Sequence, residues 1–415
     1  MTTDLHRSGH AVVAGAGVAG CLASIVLADH FERVSVLERA RSQPHAATDH
    51  GPPSCRAGVP QGRCLHLLMA PGAKIFDGII PEWRPELEAL GAVPFDASRD
   101  VALYGAAGPR LPSPAGDVLY GCSRALLETM LRRSIHRRPN IHLWEGSELK
   151  DLLFCDQTQR VTGVGVAKRH GGPEETMTAD LVLDASGAAS MLPQWLAAQH
   201  CVRGSAVAES VVDGPTSYVS RWYQLPDAYQ PAWSCCSISP SPRTLGRSAL
   251  LLRAEHNCWG LVLLAPADQP LPTDDQALLA FVVSLGDNHL LRTLQVAKAV
   301  SPIHHYGSFT SRWKHYEQCR AWPAGLLALG DAVCCLDPYF GLGMSLAADS
   351  VWTLRTALRQ AHRPSEGAIQ GQIASRIQPV WDRSVAGRPC RSESPQTIPS
   401  PSISAFADWA MGRVA

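Results

Sequence analysis

The chain has 415 residues, 46% apolar and 18% charged, proportions ordinary for a globular enzyme. That length calls for two interlocked lobes rather than one small core, since domains run about 100–200 residues. Lys plus Arg equals Asp plus Glu at 37 each, and the zero net charge gives no electrostatic reason to expect a nucleic-acid or anionic-membrane partner.

An apolar stretch from Ala11 to Ala28 follows the basic His6 and Arg7, as in a secretory leader. Glycines at 15, 17 and 20, and a second strand close behind, argue for strand, turn, helix and strand instead. Val12-Val13-Ala14-Gly15-Ala16-Gly17-Val18-Ala19-Gly20 carries G-x-G-x-x-G between an apolar strand and a helical pattern, and Glu38 ends the next strand, 18 residues after Gly20. In this context Gly15 permits the tight turn, Gly17 lets backbone approach a pyrophosphate, and Gly20 allows close helix–strand packing. Glu38 would take the adenosine ribose hydroxyls and disfavour a 2′-phosphate.

Residues 39–64 read as a long polar loop, and Leu65 to Ile79 as a helix before Pro81. Residues 92–120 suit a small sheet. Ser123 is placed to cap a helix from Arg124 to about Arg137, whose Arg132, Arg133, Arg137 and Arg138 read as a solvated face. A strand at Asn140 to Trp144, a hairpin to Arg169 and a buried strand at Asp180 to Ala185, ending in Ser186-Gly187, follow.

In the second region, strands are expected at Ser217 to Leu225, Ser248 to Ala254 and Trp259 to Leu264, with a helix at Thr273 to Leu285. An apolar strand then delivers Gly330-Asp331, and Gly341 and Gly343 open a helix from about Met344 to Leu358. A carboxylate at Asp331 suits a ribitol hydroxyl, and the amides of the glycine-opened helix suit the flavin pyrimidine oxygens. Residues 387–403, rich in Pro, Ser and Arg, read as a linker. No second G-x-G-x-x-G and no run of 18 apolar residues appears, so neither a separate nicotinamide domain nor a membrane span is expected. The thirteen cysteines include the pairs Cys235-Cys236 and Cys334-Cys335 but no C-x-x-C and no cluster at zinc spacing. They fit a reduced, cytoplasmic protein without a metal.

These segments together resemble the FAD-dependent monooxygenase superfamily, above all bacterial epoxidase-like and hydroxylase-like flavoproteins of natural-product pathways. The resemblance rests on the fingerprint, Pro60-Gln61-Gly62-Arg63, Ser123-Arg124-Ala125-Leu126-Leu127-Glu128, Asp184-Ala185-Ser186-Gly187 and Gly330-Asp331-Ala332. It implies an α/β fold: a glutathione-reductase-like FAD-binding Rossmann domain interlocked with a mixed-sheet substrate domain. The expected division is 8–90, 120–200 and 315–385 for FAD, 91–119 and 201–314 for substrate, and 386–415 for linker and tail. Cofactor contacts are expected from Gly15, Gly17, Gly20, Glu38, Arg63, Arg124, Asp184, Gly187, Asp331, Pro338, Gly341, Gly343 and Met344. Ala188-Ala189 stand where an arginine is common, and Leu342 where a glutamine is frequent.

The implied reaction hydroxylates or epoxidises an electron-rich substrate through a flavin C4a-hydroperoxide, using O2 and NAD(P)H or a partner flavin reductase. Tyr218, Trp222, Tyr223, Trp233 and Trp259 are candidates for an apolar pocket. His66 and Arg63 are the weak catalytic candidates; His304 and His305 are further possible acids or bases. Three rivals stand beside this reading. One is a halogenase, for which no W-x-W-x-I-P segment is present and Lys74 is the lysine in question. The others are a flavin reductase or dehydrogenase acting on prenyl double bonds, and a degenerate FAD-binding protein with a non-redox role.

Overall fold

The computed structural model describes residues 8–41, 60–104, 118–169, 171, 173–198, 207–214, 216–319, 321–338 and 341–386. At its centre is a five-stranded parallel sheet. Its order is Leu326–Ala328, Leu181–Asp184, His10–Ala14, Arg33–Glu38 and Ile141–Glu145. The inner strands are nearly continuous apolar runs because both faces are covered, which is what a parallel sheet requires. On one face lies the helix Val18–Ala28, every residue of it buried, packed against the helices Arg124–His136 and Gly343–Leu358. On the other lies an antiparallel meander of Ser147–Cys155, Arg160–Lys168 and Glu175–Thr178. The helix Glu366–Ala386, which the sequence reading did not find, packs on Gly343–Leu358, and Arg376 grips Asp349 through two hydrogen bonds of 2.9 and 2.7 Å.

The second large unit is a seven-stranded mixed sheet. Thr216–Gln224, Cys258–Pro266, Ser248–Arg253 and Cys235–Ile238 run antiparallel in that order, and Val101–Tyr104 adds to the end in parallel. The short strands Lys298–Ala299 and His304–Tyr306 pair with Thr216–Gln224. Helices Asp275–Ser284 and Asn288–Val296, capped by the Asp274 and Asp287 side chains, supply residues to a closed core on one face.

The expected helix over Leu65 to Ile79 is corrected. Leu65–Leu68 is a strand that pairs with Val118–Ser123, and the helix begins at Ala70. Pro71 stands in its first turn, where the missing N–H costs no bond. The expected linker and tail from 387 onward lie outside the described residues.

Candidate cofactor and substrate site

The turn after the first strand is shaped by its glycines. Gly15 has φ +98°, and a Cβ there would lie 2.5 Å from the Ala185 carbonyl oxygen. A Cβ at Gly20 would fall 1.9 Å from the Gly15 carbonyl oxygen, so the helix reaches the turn this closely only as glycine. Gly17 differs, for its added Cβ would meet only Arg124 Nη2, 4.0 Å away. That open space lies over a helix N-terminus with no side-chain cap and no acid in its first turn. Its first amides lack an intrahelical acceptor and carry partial positive charge, which is the environment a phosphate selects. Glu38 is buried and braces the turn, accepting from the Ala16 and Ala40 N–H groups at 3.0 and 2.8 Å.

Distant segments close on this turn. Ala185 N–H donates to the Ala14 carbonyl and Leu329 N–H to the Asp184 carbonyl, both at 2.9 Å, which lines up three strand ends. Gly330, at φ +61°, stands where a Cβ would sit 2.8 Å from Ala19 Cβ, so the loop after Leu329 lies on the start of the fingerprint helix. Burial pushes the Asp331 carboxyl pKa upward, against the pull of Arg124 and a hydrogen bond from the Cys335 thiol.

Arg124 joins these parts. It opens a helix whose N-cap, Ser123, accepts the Leu126 N–H at 3.1 Å. Its Nε donates to Glu128 Oε1 at 2.8 Å, which fixes the guanidinium while Nη2 faces Gly17. His66 lies within reach of the same charge. Burial first, and Arg124 second, bring its pKa down to about 4. Its Nδ1 lies 3.0 Å from the Cys64 carbonyl, so the neutral ring carries its proton there and leaves Nε2 as an acceptor.

Asp184 turns inward. One carboxylate oxygen accepts from the Ser186 N–H and Oγ at 3.0 and 2.6 Å, and the other from Ser190 Oγ. It holds its own turn, and the Asp-x-Ser spacing signals that local role. The sequence reading did not single out Ser190. Gly187, Gly341 and Gly343 would each meet nothing within 4 Å of an added Cβ. Gly341 donates to the Pro338 carbonyl at 2.9 Å, and the helix that Gly343 opens has no side-chain cap. Leu342 and Met344 are half-buried against the main core.

The described residues therefore fit FAD. Two uncapped helix starts, open glycine turns and a fixed guanidinium suit a pyrophosphate-bearing nucleotide, with Gly17, Arg124 and Asp331 at one place. No group of three or more His, Cys, Asp or Glu among the described residues could hold a metal ion, and no described helix is long and apolar enough to cross a membrane.

The substrate candidates divide by strand parity. Tyr218 and Trp222 share one face of the seven-stranded sheet with Ser220. Tyr218 stacks on Tyr306 with ring centroids 4.7 Å apart, and Trp222 Nε1 donates to the Arg63 carbonyl at 3.0 Å. Tyr223, Trp233 and Trp259 belong to the opposite face, in the core against the two capped helices, where Trp233 meets Trp259 edge-on at 5.4 Å. Arg63 is exposed beside this sheet, and after burial its charge is the second cause that lowers the His304 pKa. Arg124, not Arg63, stands at Gly17. His305 and Lys74 are exposed. Gln61 lies where no side chain is described.

A family model described as "FAD binding domain" matches residues 72–217. Protein Rv3254 of Mycobacterium tuberculosis is 32% identical over 393 residues, which span 91% of this chain and 80% of that protein. Kynurenine 3-monooxygenase of Salinispora tropica is 26% identical over 388 residues, 89% of this chain and 77% of that one. PqsL of Pseudomonas aeruginosa, solved in complex with 2-aminobenzoylacetate, superposes with a TM-score of 0.67 at 15% identity, covering 92% of this chain and 95% of that one. The chain belongs to the same family as Rv3254 and to the FAD-dependent monooxygenase superfamily.

Proposed function

We propose that this FAD-dependent oxidoreductase inserts one atom of O2 into an electron-rich, apolar or aromatic substrate, by hydroxylation or epoxidation. The balance is substrate, O2, NAD(P)H and a proton going to oxygenated product, water and NAD(P)+. The open space at Gly17, with Arg124 facing it and the buried Asp331 within the electrostatic reach of Arg124, supports the FAD site on which the reading rests. Bound flavin, once reduced, supplies the activation of O2. The protein's part is to bind, orient and keep the site dry.

Gly17 and the amides after it are assigned to the pyrophosphate, with Arg124 balancing its charge. Asp331 is assigned to a ribitol hydroxyl and Glu38 to the adenosine ribose. The helix that Gly343 opens is assigned to the flavin pyrimidine edge, where its N-terminal partial charge favours the anionic reduced ring. His66, neutral at working pH, offers Nε2 as an acceptor rather than a cation. The substrate is assigned to the sheet face of Tyr218 and Trp222. Leu250, Val262 and Leu264 on that face are only half-buried, which leaves apolar surface for a ligand. The kynurenine of one relative and the 2-aminobenzoylacetate of PqsL support a small aromatic compound.

The test has two parts. Gly17→Val fills the open space and should yield a folded but colourless protein; stoichiometric flavin in that variant would remove the site assignment. Turnover of an aromatic panel under ¹⁸O2 with NAD(P)H, with and without a flavin reductase, should place label in the product. Product formed without O2 would make the protein a reductase or dehydrogenase instead.

A further inference from the structure

The turn that joins Ser248–Arg253 to Cys258–Pro266 is one point where the substrate-side sheet meets the cofactor side. His256 and Asn257 within it both have left-handed backbone, at φ +55° and +56°. The ladder closes on Ala254 and Cys258, so the loop has three residues, and its two left-handed ones are built without glycine and so against a steric cost at each position. Asn257 Nδ2 holds the turn by donating to the Leu225 carbonyl at 3.1 Å. Strain of this kind persists where the surroundings fix it.

What the turn delivers is Glu255. It is 4% exposed, and its Oε2 accepts the Ser123 N–H at 2.9 Å. Beside it the Arg253 carbonyl comes so near that a Cβ on Gly121 would lie 2.0 Å from the oxygen. Ser123 is the N-cap residue directly before Arg124. A carboxylate from the substrate sheet thus sits at the positive end of the helix whose first residue presents its guanidinium to Gly17.

We propose that Glu255 is a positioning residue for the cofactor. It sets Arg124 through the Ser123 amide, so that this buried carboxylate links the position of the substrate-side sheet to the seat of FAD. The proposal rests on the assignment of Arg124 to FAD made above.

The experiment measures FAD affinity by flavin fluorescence on the full chain, in a cycle of Glu255→Ala, Arg124→Met and the double variant, with Glu255→Gln beside them. Glu255→Ala should weaken FAD binding about tenfold, because the Ser123 N–H is left buried without its charged acceptor. Glu255→Gln keeps an acceptor oxygen and should stay within about threefold, losing only the charge at the helix end. In the Arg124→Met background, Glu255→Ala should add less than about twofold. An equal effect in both backgrounds would overturn the proposal, as would Glu255→Ala that lowers the melting temperature while FAD affinity stays within about twofold. If Glu255→Ala does not fold, Glu255→Gln and Glu255→Asp complete the cycle, and a weakening that persists without Arg124 overturns it equally. Unchanged affinity in Arg124→Met alone would overturn the assignment of Arg124, and the proposal with it.

Discussion

The two faces of the seven-stranded sheet carry similar residues and differ in what covers them. On one face Tyr223 and Trp259 are closed in by Leu278, Phe281, Val282, Leu290 and Leu294 of two capped helices. On the other, Tyr218 and Trp222 look across at the strand Leu65–Leu68, and their aliphatic neighbours Leu65, Leu250, Val262 and Leu264 remain half-buried. A side chain moves from one face to the other with a shift of one residue, so strand parity divides the aromatics of the closed core from those of the face proposed for the substrate. The closed face holds the sheet together, and the open face is where a small apolar molecule would gain by covering carbon.

The largest expected effect tests the closed face. Trp259→Ala should cost about 3–5 kcal/mol in urea unfolding, with flavin per folded molecule unchanged. A variant as stable as the parent but poor in turnover would move Trp259 to the ligand side. Next comes a matched pair. Tyr218→Phe should raise substrate KM about threefold, one hydrogen bond's worth at about 0.7 kcal/mol, while Tyr223→Phe leaves KM unchanged. Equal effects at both positions would erase the distinction between the faces. A third test concerns His66, beside Arg124 on the cofactor side. Its folded pKa of about 4 lies below its ordinary 6.5, so the unfolded chain binds more protons between those values. Stability of the flavin-free protein should therefore fall as pH drops from about 6.5 to about 4, and His66→Gln should flatten that part of the profile. An unchanged slope would mean that His66 stays protonated in the folded state.

Legibility in the sequence followed the range of the interactions. The fingerprint turn was readable because glycine spacing, flanking strand and terminal acid lie within one short segment, and the cap at Ser123 was readable for the same reason. Leu65 to Leu68 misled because four apolar residues fit either period; Pro71 was the signal that the helix starts later. The long helix Glu366–Ala386 escaped notice despite its length, and Pro379 within it is a breaker that tertiary packing overrides. Tyr218 and Tyr223 could be assigned to opposite faces by counting, but which face closes depends on helices some 60 residues away in the chain. Glu255 gave no local sign, since its partner is 132 residues distant and its turn uses His-Asn where a glycine would be the usual cue.

The order of the parallel sheet also bears on how the chain is made. His10–Ala14 leaves the ribosome before the other strands of its sheet, yet its two neighbours are Arg33–Glu38 and the much later Leu181–Asp184, which in turn waits for Leu326–Ala328. A nascent chain that stops short of Leu326 carries an apolar strand edge with nothing to zip against. The nucleotide cleft is therefore completed late in translation, and products truncated before that strand should aggregate rather than hold a flavin.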